Sequence, residues 1–289
     1  MKKIKILVIG GAGHVGSNLL EHLKMSDVCY SLTSLDNYHN GNQINHIEGV
    51  KYIEGDARDI ANLVPSDLDC VVHLGEFARI EQSFEEYKHV FENNIMGTLR
   101  VIEFCISKNI KLVYSASSAI TSMNEPGLIN APYTIAKSAN VNLLNSISHY
   151  YSLNYSIVYF YNVYGPREVG TGKNATVVEK FLQLKFNDKE AVINFPGTQQ
   201  RNFTDVRDIV DGIERVIQHG RGDGYFIGNP ETFSIIELAE LIGVKYTIGE
   251  NTLGNRKSSK LQLSKMKDLG WEAKHNLRAY IKERLRAGH

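Results

Sequence analysis

The chain has 289 residues with 32 basic and 32 acidic side chains, so its formal net charge is zero. That length can bury a large core, and no Lys/Arg-rich block marks a broad nucleic-acid surface. No run approaches the roughly 18 apolar residues of a membrane span. The three cysteines, Cys29, Cys70 and Cys105, sit in apolar stretches without metal-ligand spacing, the pattern of reduced thiols in a cytoplasmic protein with no metal site.

Short β-type runs alternate with longer helical patterns from the start. "IKILVIG" reads as a strand, and its apolar core, Ile6 to Ile9, is too short for a signal-peptide core. "HVGSNLLEHLKM" follows as an amphipathic helix, then "YSLTSLDN", "VKYIEGD" and "DCVVHLG" as strands. The spacing predicts one long helix through "FEEYKHVFENNIMGTLRVIEFCISKN", a strand at "IKLVYSAS", a helix over "APYTIAKSANVNLLNSISHYYS" and a strand at "YSIVYFYNVYG". Such alternation implies right-handed crossovers and a mostly parallel, doubly wound α/β sheet covered by helices on both faces. After Gly165 the rhythm loosens: helical "ATVVEKFLQLKF", a strand and turn at "EAVINFPG", an amphipathic helix at "VRDIVDGIERVIQHG", a strand "GYFIGNP", a helix "SIIELAELIG" and a last small element at "LSKMKDLGW". Residues 1–165 therefore read as one domain and 166–289 as a smaller, interleaved α/β region, with 201–228 returning to the first.

"GGAGHVG" stands between the first strand and the first helix. Gly10, Gly13 and Gly16, or Gly11, Gly13 and Gly16, supply the spacing that a tight turn and a close approach to pyrophosphate require. The helix then offers free N–H groups and a positive dipole end to phosphate, beginning at His14 and Val15. Asp36 ends the second strand twenty residues beyond Gly16, where a carboxylate accepts the ribose hydroxyls of a dinucleotide. It also repels a 2′-phosphate, and Asn37 and Tyr38 supply no arginine, so NAD is favoured over NADP.

Tyr133 and Lys137 lie four apart in a helical pattern and share a face. A phenol with an ordinary pKa near ~10 costs roughly 4 kcal/mol to ionise at neutral pH. A neighbouring ammonium lowers that cost, and the phenolate can then take a proton from an alcohol while hydride leaves the same carbon. Ser117, at the end of the fifth strand, can hydrogen-bond the same oxygen. Alone, each element also has a bland reading, as a packing tyrosine or a loop-capping serine.

Together the motifs resemble the extended short-chain dehydrogenase/reductases, and within them the NAD-dependent sugar-nucleotide epimerase/dehydratase group. The resemblance runs nearly the whole length, through "GGAGHVGS", "SLDNY", "EGDARD", "VVHLGEFA", "ENNIMGT", "YTIAK", "YFYNVYGPRE", "RNFTDVRDIVDG" and "LGW". It implies a Rossmann domain with Asp56 and Ala57 flanking the adenine, Leu74 and Gly75 lining the cofactor cleft, and Asn94 supporting the catalytic region. It implies a triad of Tyr133, Lys137 and one serine. The alignment selects Ser117, with Ser118 and Ser115 behind it. Asn162, Arg201 and Arg256 are implied to hold a nucleotide diphosphate, a task suited to guanidinium geometry. The implied reaction is that of a 4-epimerase like the UDP-glucose/galactose 4-epimerases. A sugar-nucleotide dehydrogenase, a ketoreductase, a heptose epimerase and a non-catalytic NAD-binding protein stand as alternatives. The family also implies a homodimer through the helices at 84–108 and 131–152, with Phe91, Ile95, Leu99, Val141, Leu144 and Tyr151 as surplus apolar residues.

Three departures from the family pattern stand out. Ser118-Ala119 occupies the place of the dehydratases' Asp-Glu pair, which disfavours 4,6-dehydration. The loop from Ala119 to Pro132 is short, which implies an open sugar site. Tyr159 stands where many relatives carry arginine. Beside these, His73 reads as packed against the cofactor region, Glu76 and Arg79 as sugar contacts or a solvated rim, and Trp271 as a packing anchor.

Overall fold

The structure, a computed structural model, describes residues 3–170, 172, 175–257 and 259–288. Its main sheet contains β1 (Ile4–Ile9), β2 (Tyr30–Asp36), β3 (Lys51–Glu54), β4 (Cys70–His73), β5 (Lys111–Ser117), β6 (Tyr155–Phe160) and the late strand Gly222–Ile227. The spatial order is Gly222–Ile227, β6, β5, β4, β1, β2, β3, and every neighbouring pair is parallel. This is the doubly wound sheet that the alternating pattern implies.

Both faces of the central strands are buried, which is why those strands read as unbroken apolar runs. Leu7, Val71, Leu112 and Ile157 pack on one side with Ile102, Phe104, Val141 and Leu144. Ile6, Val8, Val72, Val113 and Val158 pack on the other with Leu19 and Leu20 of helix α1 (His14–Met25) and with Ile209 and Ile213. Val141 and Leu144 are therefore core residues and not surplus surface, which corrects their assignment to a dimer face; Leu144 is fully buried. Phe91 and Tyr151 remain exposed.

The long helix expected after β4 is broken into three pieces. A short helix at Tyr87–Val90 passes into a π-helical stretch, Phe91–Gly97, and then into the α-helix Thr98–Lys108. Such wide turns are used where a residue must be re-aimed. In this one Asn94 turns fully inward: its amide oxygen accepts from Phe77 N at 2.8 Å and its Nδ2 donates to Phe77 O at 2.9 Å.

The smaller region has its own core, built from Tyr164, Phe181, Leu182, Phe203, Phe233 and Leu238 among others. Its helices include Val177–Phe186 and Ile235–Ile242, the latter closed by a capping box between Ser234 and Glu237. The helix Val206–His219 packs against α1, so this part of the chain lies with the main sheet alongside the strand Gly222–Ile227. A terminal helix, Leu277–Ala287, extends beyond the last element read from sequence. Asn276 caps it by accepting from Ala279 N at 2.8 Å, and it buries Leu277, Tyr280 and Ile281. Among the described residues, no helix is long and apolar enough to cross a membrane.

Trp271 is 1 % exposed and closes the core on the α1 face of the main sheet, with its indole N–H donating to Asp208 O at 3.0 Å. Trp271→Ala is expected to lower unfolding free energy by about 3–5 kcal/mol. A urea titration followed by far-UV circular dichroism checks this; a midpoint unchanged from the parent protein refutes the anchoring role.

Candidate active site

The strand order reverses between β1 and β4, and crevices at such points are where open parallel sheets hold ligands. Gly10 follows β1 with φ +84°, and a Cβ there would stand 2.7 Å from Gly75 N. The two strand ends thus meet backbone to backbone. A Cβ on Gly16 would stand 2.0 Å from Gly10 O, so the turn itself demands glycine at that position. Gly13 differs. Its φ of −81° suits any residue, and a Cβ there would meet only Gly10 O, at 3.4 Å.

From this junction a cleft of about 1030 Å³ runs toward the smaller region. Its wall includes Gly10, Gly13, His14, Val15 and Gly16 from the glycine turn, then Asp36, Asn37, Ala57, Leu74 and Gly75. At its centre lie Ser115, Ser117, Ser118, Tyr133 and Lys137, and at its far end Asn162, Arg201 and Arg256. Asp56 and Asn94 are not brought into the wall. Asp56 is bound by Arg58, with Nε to Oδ1 at 2.8 Å and Nη2 to Oδ2 at 3.0 Å. Asn94 is spent on Phe77, as described above.

At the cofactor end, the Asp36 carboxylate accepts from Ala12 N at 2.8 Å and from Tyr38 N at 2.9 Å. Each oxygen keeps a lone pair for a ribose hydroxyl. His14 opens α1 with a buried Nε2 that has no partner. Burial, reinforced by the positive charge of Arg79, pushes His14 down to about 4, so the imidazole is neutral at pH 7.

The catalytic candidates come from two elements. β5 ends at Ser117, and the helix Pro132–Tyr151 begins with proline at its first position, placing Tyr133 in the first turn. The three serines have different partners. Ser115 Oγ donates to His73 O at 2.9 Å, and Ser118 Oγ accepts from Arg256 Nη2 at 3.0 Å. Ser117 Oγ accepts from Ala119 N at 3.2 Å, which leaves its hydroxyl hydrogen available to a ligand.

Lys137 is nearly buried, and its Nζ lies 2.6 Å from Glu76 Oε2 and also donates to Ser115 O. Glu76 is not a solvated rim residue: its side chain is 1 % exposed. It accepts from Thr98 Oγ1, from Tyr114 OH at 3.3 Å and from Asn140 Nδ2 at 3.2 Å. Burial first, and the Glu76 charge second, push the Tyr114 phenol well above its ordinary range. His73 shares Thr98 through Nε2 at 3.0 Å and is lowered to about 4 by burial, so it too is neutral. Sequence spacing carried one hint of this network, an acidic residue directly after the glycine that ends the β4 turn, but not its depth.

At the far end Arg256 is 6 % exposed, and its Nε and Nη1 have no partner. Arg201 lies against the same segment, donating through Nη2 to Arg256 O at 2.7 Å and to Asn255 Oδ1 at 3.1 Å. Burial and the neighbouring Arg256 charge push Arg201 down to about 9, which keeps it protonated at neutral pH. Asn162, at φ 30°, spends its Nδ2 on Asn202 O at 2.9 Å. The short loop after Ser117 does not reach over the cleft; none of the described residues from 119 to 131 lines it. It is tied instead to the Arg256 segment. Glu125 accepts from Lys257 N at 3.2 Å, and Thr121 Oγ1 from Lys260 N at 3.2 Å. Among the described residues no group of His, Cys, Asp or Glu is arranged to hold a metal.

Known proteins are similar to this chain in sequence and fold. A family model described as the NAD dependent epimerase/dehydratase family matches residues 6–228. A UDP-glucuronic acid decarboxylase of Arabidopsis thaliana is 26 % identical, with 95 % of this chain and 86 % of the relative aligned. A dTDP-D-glucose 4,6-dehydratase of Dictyostelium discoideum is 28 % identical over 82 % of this chain, which spans 61 % of that relative's length. The crystal structure of a UDP-glucose 4-epimerase from Thermotoga maritima, solved with UDP-glucose, superposes with a TM-score of 0.88 at 25 % identity, covering 98 % of this chain and 99 % of the other. A glycine turn at the sheet's reversal point, a tyrosine–lysine pair on one helix face and a match across most of the chain lead to one conclusion: the protein belongs to the NAD-dependent epimerase/dehydratase family of enzymes.

Proposed function

We propose that this enzyme is a sugar-nucleotide 4-epimerase acting through a transient 4-keto sugar. The observation that carries the reading is the chemistry beside Ser117. An enzyme that expels water from the sugar needs an acid next to the reacting hydroxyl, and here that place holds Ser118, bonded to Arg256, and buried Ala119. The cleft's carboxylates are engaged elsewhere: Asp36 at the cofactor end, Glu76 on Lys137, and Glu81 on Asn194 and Thr252. What remains at the centre is one hydroxyl donor, one phenol and one ammonium, a set suited to removing and returning a proton.

The site's fit to NAD rests on two features. Gly13 is a glycine that the protein's own packing does not require, and the orphaned Nε2 of His14 lies beside it. Both suit a pyrophosphate seated on the first turn of α1. NAD, when bound, supplies the hydride acceptor and donor. Tyr133 takes the proton of the C4 hydroxyl and later gives it back, Ser117 orients that oxygen, and Lys137 holds the nicotinamide ribose. Arg201 and Arg256 grip the diphosphate, where the unpartnered Nε and Nη1 of Arg256 await an anion. With the nucleotide held there and no loop across the sugar, the keto sugar has room to present its other face.

The family's homodimer is carried into the proposal on a revised face. Tyr87, Phe91, Met96, Ile135 and Tyr151 are exposed on the two helical regions expected to pair.

A panel of sugar nucleotides read by chromatography tests the reaction. Interconversion of C4 epimers with no net change at the NADH absorbance band is expected. Loss of water, loss of CO2 or stoichiometric NADH would replace the reading. Tyr133→Phe is expected to lower turnover by about 10²–10⁴-fold while NAD stays bound, the range for removing a positioned acid–base group; activity within a few-fold of the parent removes Tyr133 from the mechanism. Gly13→Ala is expected to leave the melting temperature within a few degrees and to weaken NAD binding at least tenfold, measured by calorimetry. Equal binding would mean that the phosphates lie elsewhere. Light scattering at micromolar concentration is expected to give twice the chain mass, and a monomer defeats the dimer.

A further inference from the structure

Among the described residues, Glu76 is the one carboxylate with a fully buried side chain in contact with the catalytic candidates, and the proposed reaction gives it no task. It lies one residue beyond Gly75, at the backbone junction where the cofactor cleft begins. Its charge is not balanced by His73, which is 3.8 Å away and neutral, nor by Tyr114, whose phenol is held protonated. Lys137 is the cation that faces it, at 2.6 Å, with both side chains almost wholly excluded from solvent. Thr98 and Asn140 fix the carboxylate from the other side. A buried pair with this many supporting hydrogen bonds is rigid, and both charges are screened much less than exposed ones.

Lys137 is the residue expected to hold the nicotinamide ribose. The oxidised nicotinamide ring carries a positive charge, and the reduced ring carries none. An uncompensated ammonium beside it would disfavour the oxidised form. We propose that Glu76 is a positioning residue that pins Lys137 in the cleft and, by cancelling its charge, biases the bound cofactor toward NAD+ over NADH. Such a bias suits an enzyme whose cofactor must return to the oxidised state at the end of each turnover. The inference goes beyond the 4-epimerase reading and needs only that the site bind NAD.

The test uses no sugar nucleotide, so its outcome is independent of which reaction the enzyme performs. The protein is equilibrated with an equimolar mixture of NAD+ and NADH, separated from free nucleotide, and the bound forms are extracted and quantified. Glu76→Gln keeps the side chain's shape and its contact with Thr98. It is expected to shift the bound NAD+/NADH ratio toward NADH by about tenfold, the size of a unit charge acting across several ångströms at an effective dielectric near 20 with partial screening. A purely structural role would weaken both forms alike and leave the ratio unmoved, which overturns the proposal. If Glu76→Gln does not fold, Lys137→Met is compared with Glu76→Gln/Lys137→Met, where the pair is removed together. The double variant is expected to have the lower NAD+/NADH ratio, and equal ratios overturn the proposal.

Discussion

The strand order reverses between β1 and β4, and there two stretches of backbone touch. A side chain on Gly10 would collide with Gly75, and one on Gly75 would stand 3.0 Å from Gly10 N. The contact fixes the start of α1 relative to the end of β4, and so fixes the glycine turn relative to Glu76. Through Glu76 it fixes Lys137, and through the helix Pro132–Tyr151 it fixes Tyr133. A steric constraint on two residues that carry no side chain thus sets the spacing of the groups proposed to carry the chemistry.

The opposite end of the cleft is organised by charge. Arg201 and Arg256 are drawn together in a partly dry setting although they repel each other, and burial depresses both. Proteins tolerate such an arrangement where an anion compensates it. In the proposed function, the cost of burying the unpartnered guanidinium nitrogens of Arg256 would become differential affinity for a ligand with two adjacent phosphates, which could satisfy them.

Much of this was legible in the chain itself, where local rules act. The glycine turn, Asp36 at the end of β2 and the four-residue spacing of Tyr133 and Lys137 depend on neighbours close in sequence, and the structure places all of them in one cleft wall. What escaped depends on depth or on distant partners. Glu76 looks like a surface acid until Thr98, Tyr114, Asn140 and Lys137 close around it. Val141 and Leu144 satisfy the apolar pattern of an exposed face as well as that of a core, and only packing decides between them. The break at Phe91–Gly97 has no proline to announce it; it follows from Asn94 bonding Phe77. The terminal helix carried readable signals, an asparagine cap at Asn276 and apolar Leu277, Tyr280 and Ile281, but its charged surface masks them.

The tie between the short loop and the Arg256 segment has a kinetic consequence. Ser118, Thr121 and Glu125 grip the chain from Arg256 to Lys260, and Ser118 is bonded to its neighbour Ser117 through the backbone alone. In the proposed reaction, a movement that carries Arg256 away from the diphosphate would pull on the residue adjoining the hydroxyl that orients the sugar. Release of the nucleotide and disassembly of the reactive geometry would then be a single event. A half-reacted sugar held by its diphosphate would keep the machinery assembled around it, so the site would resist leaking an oxidised intermediate without a lid to cover it.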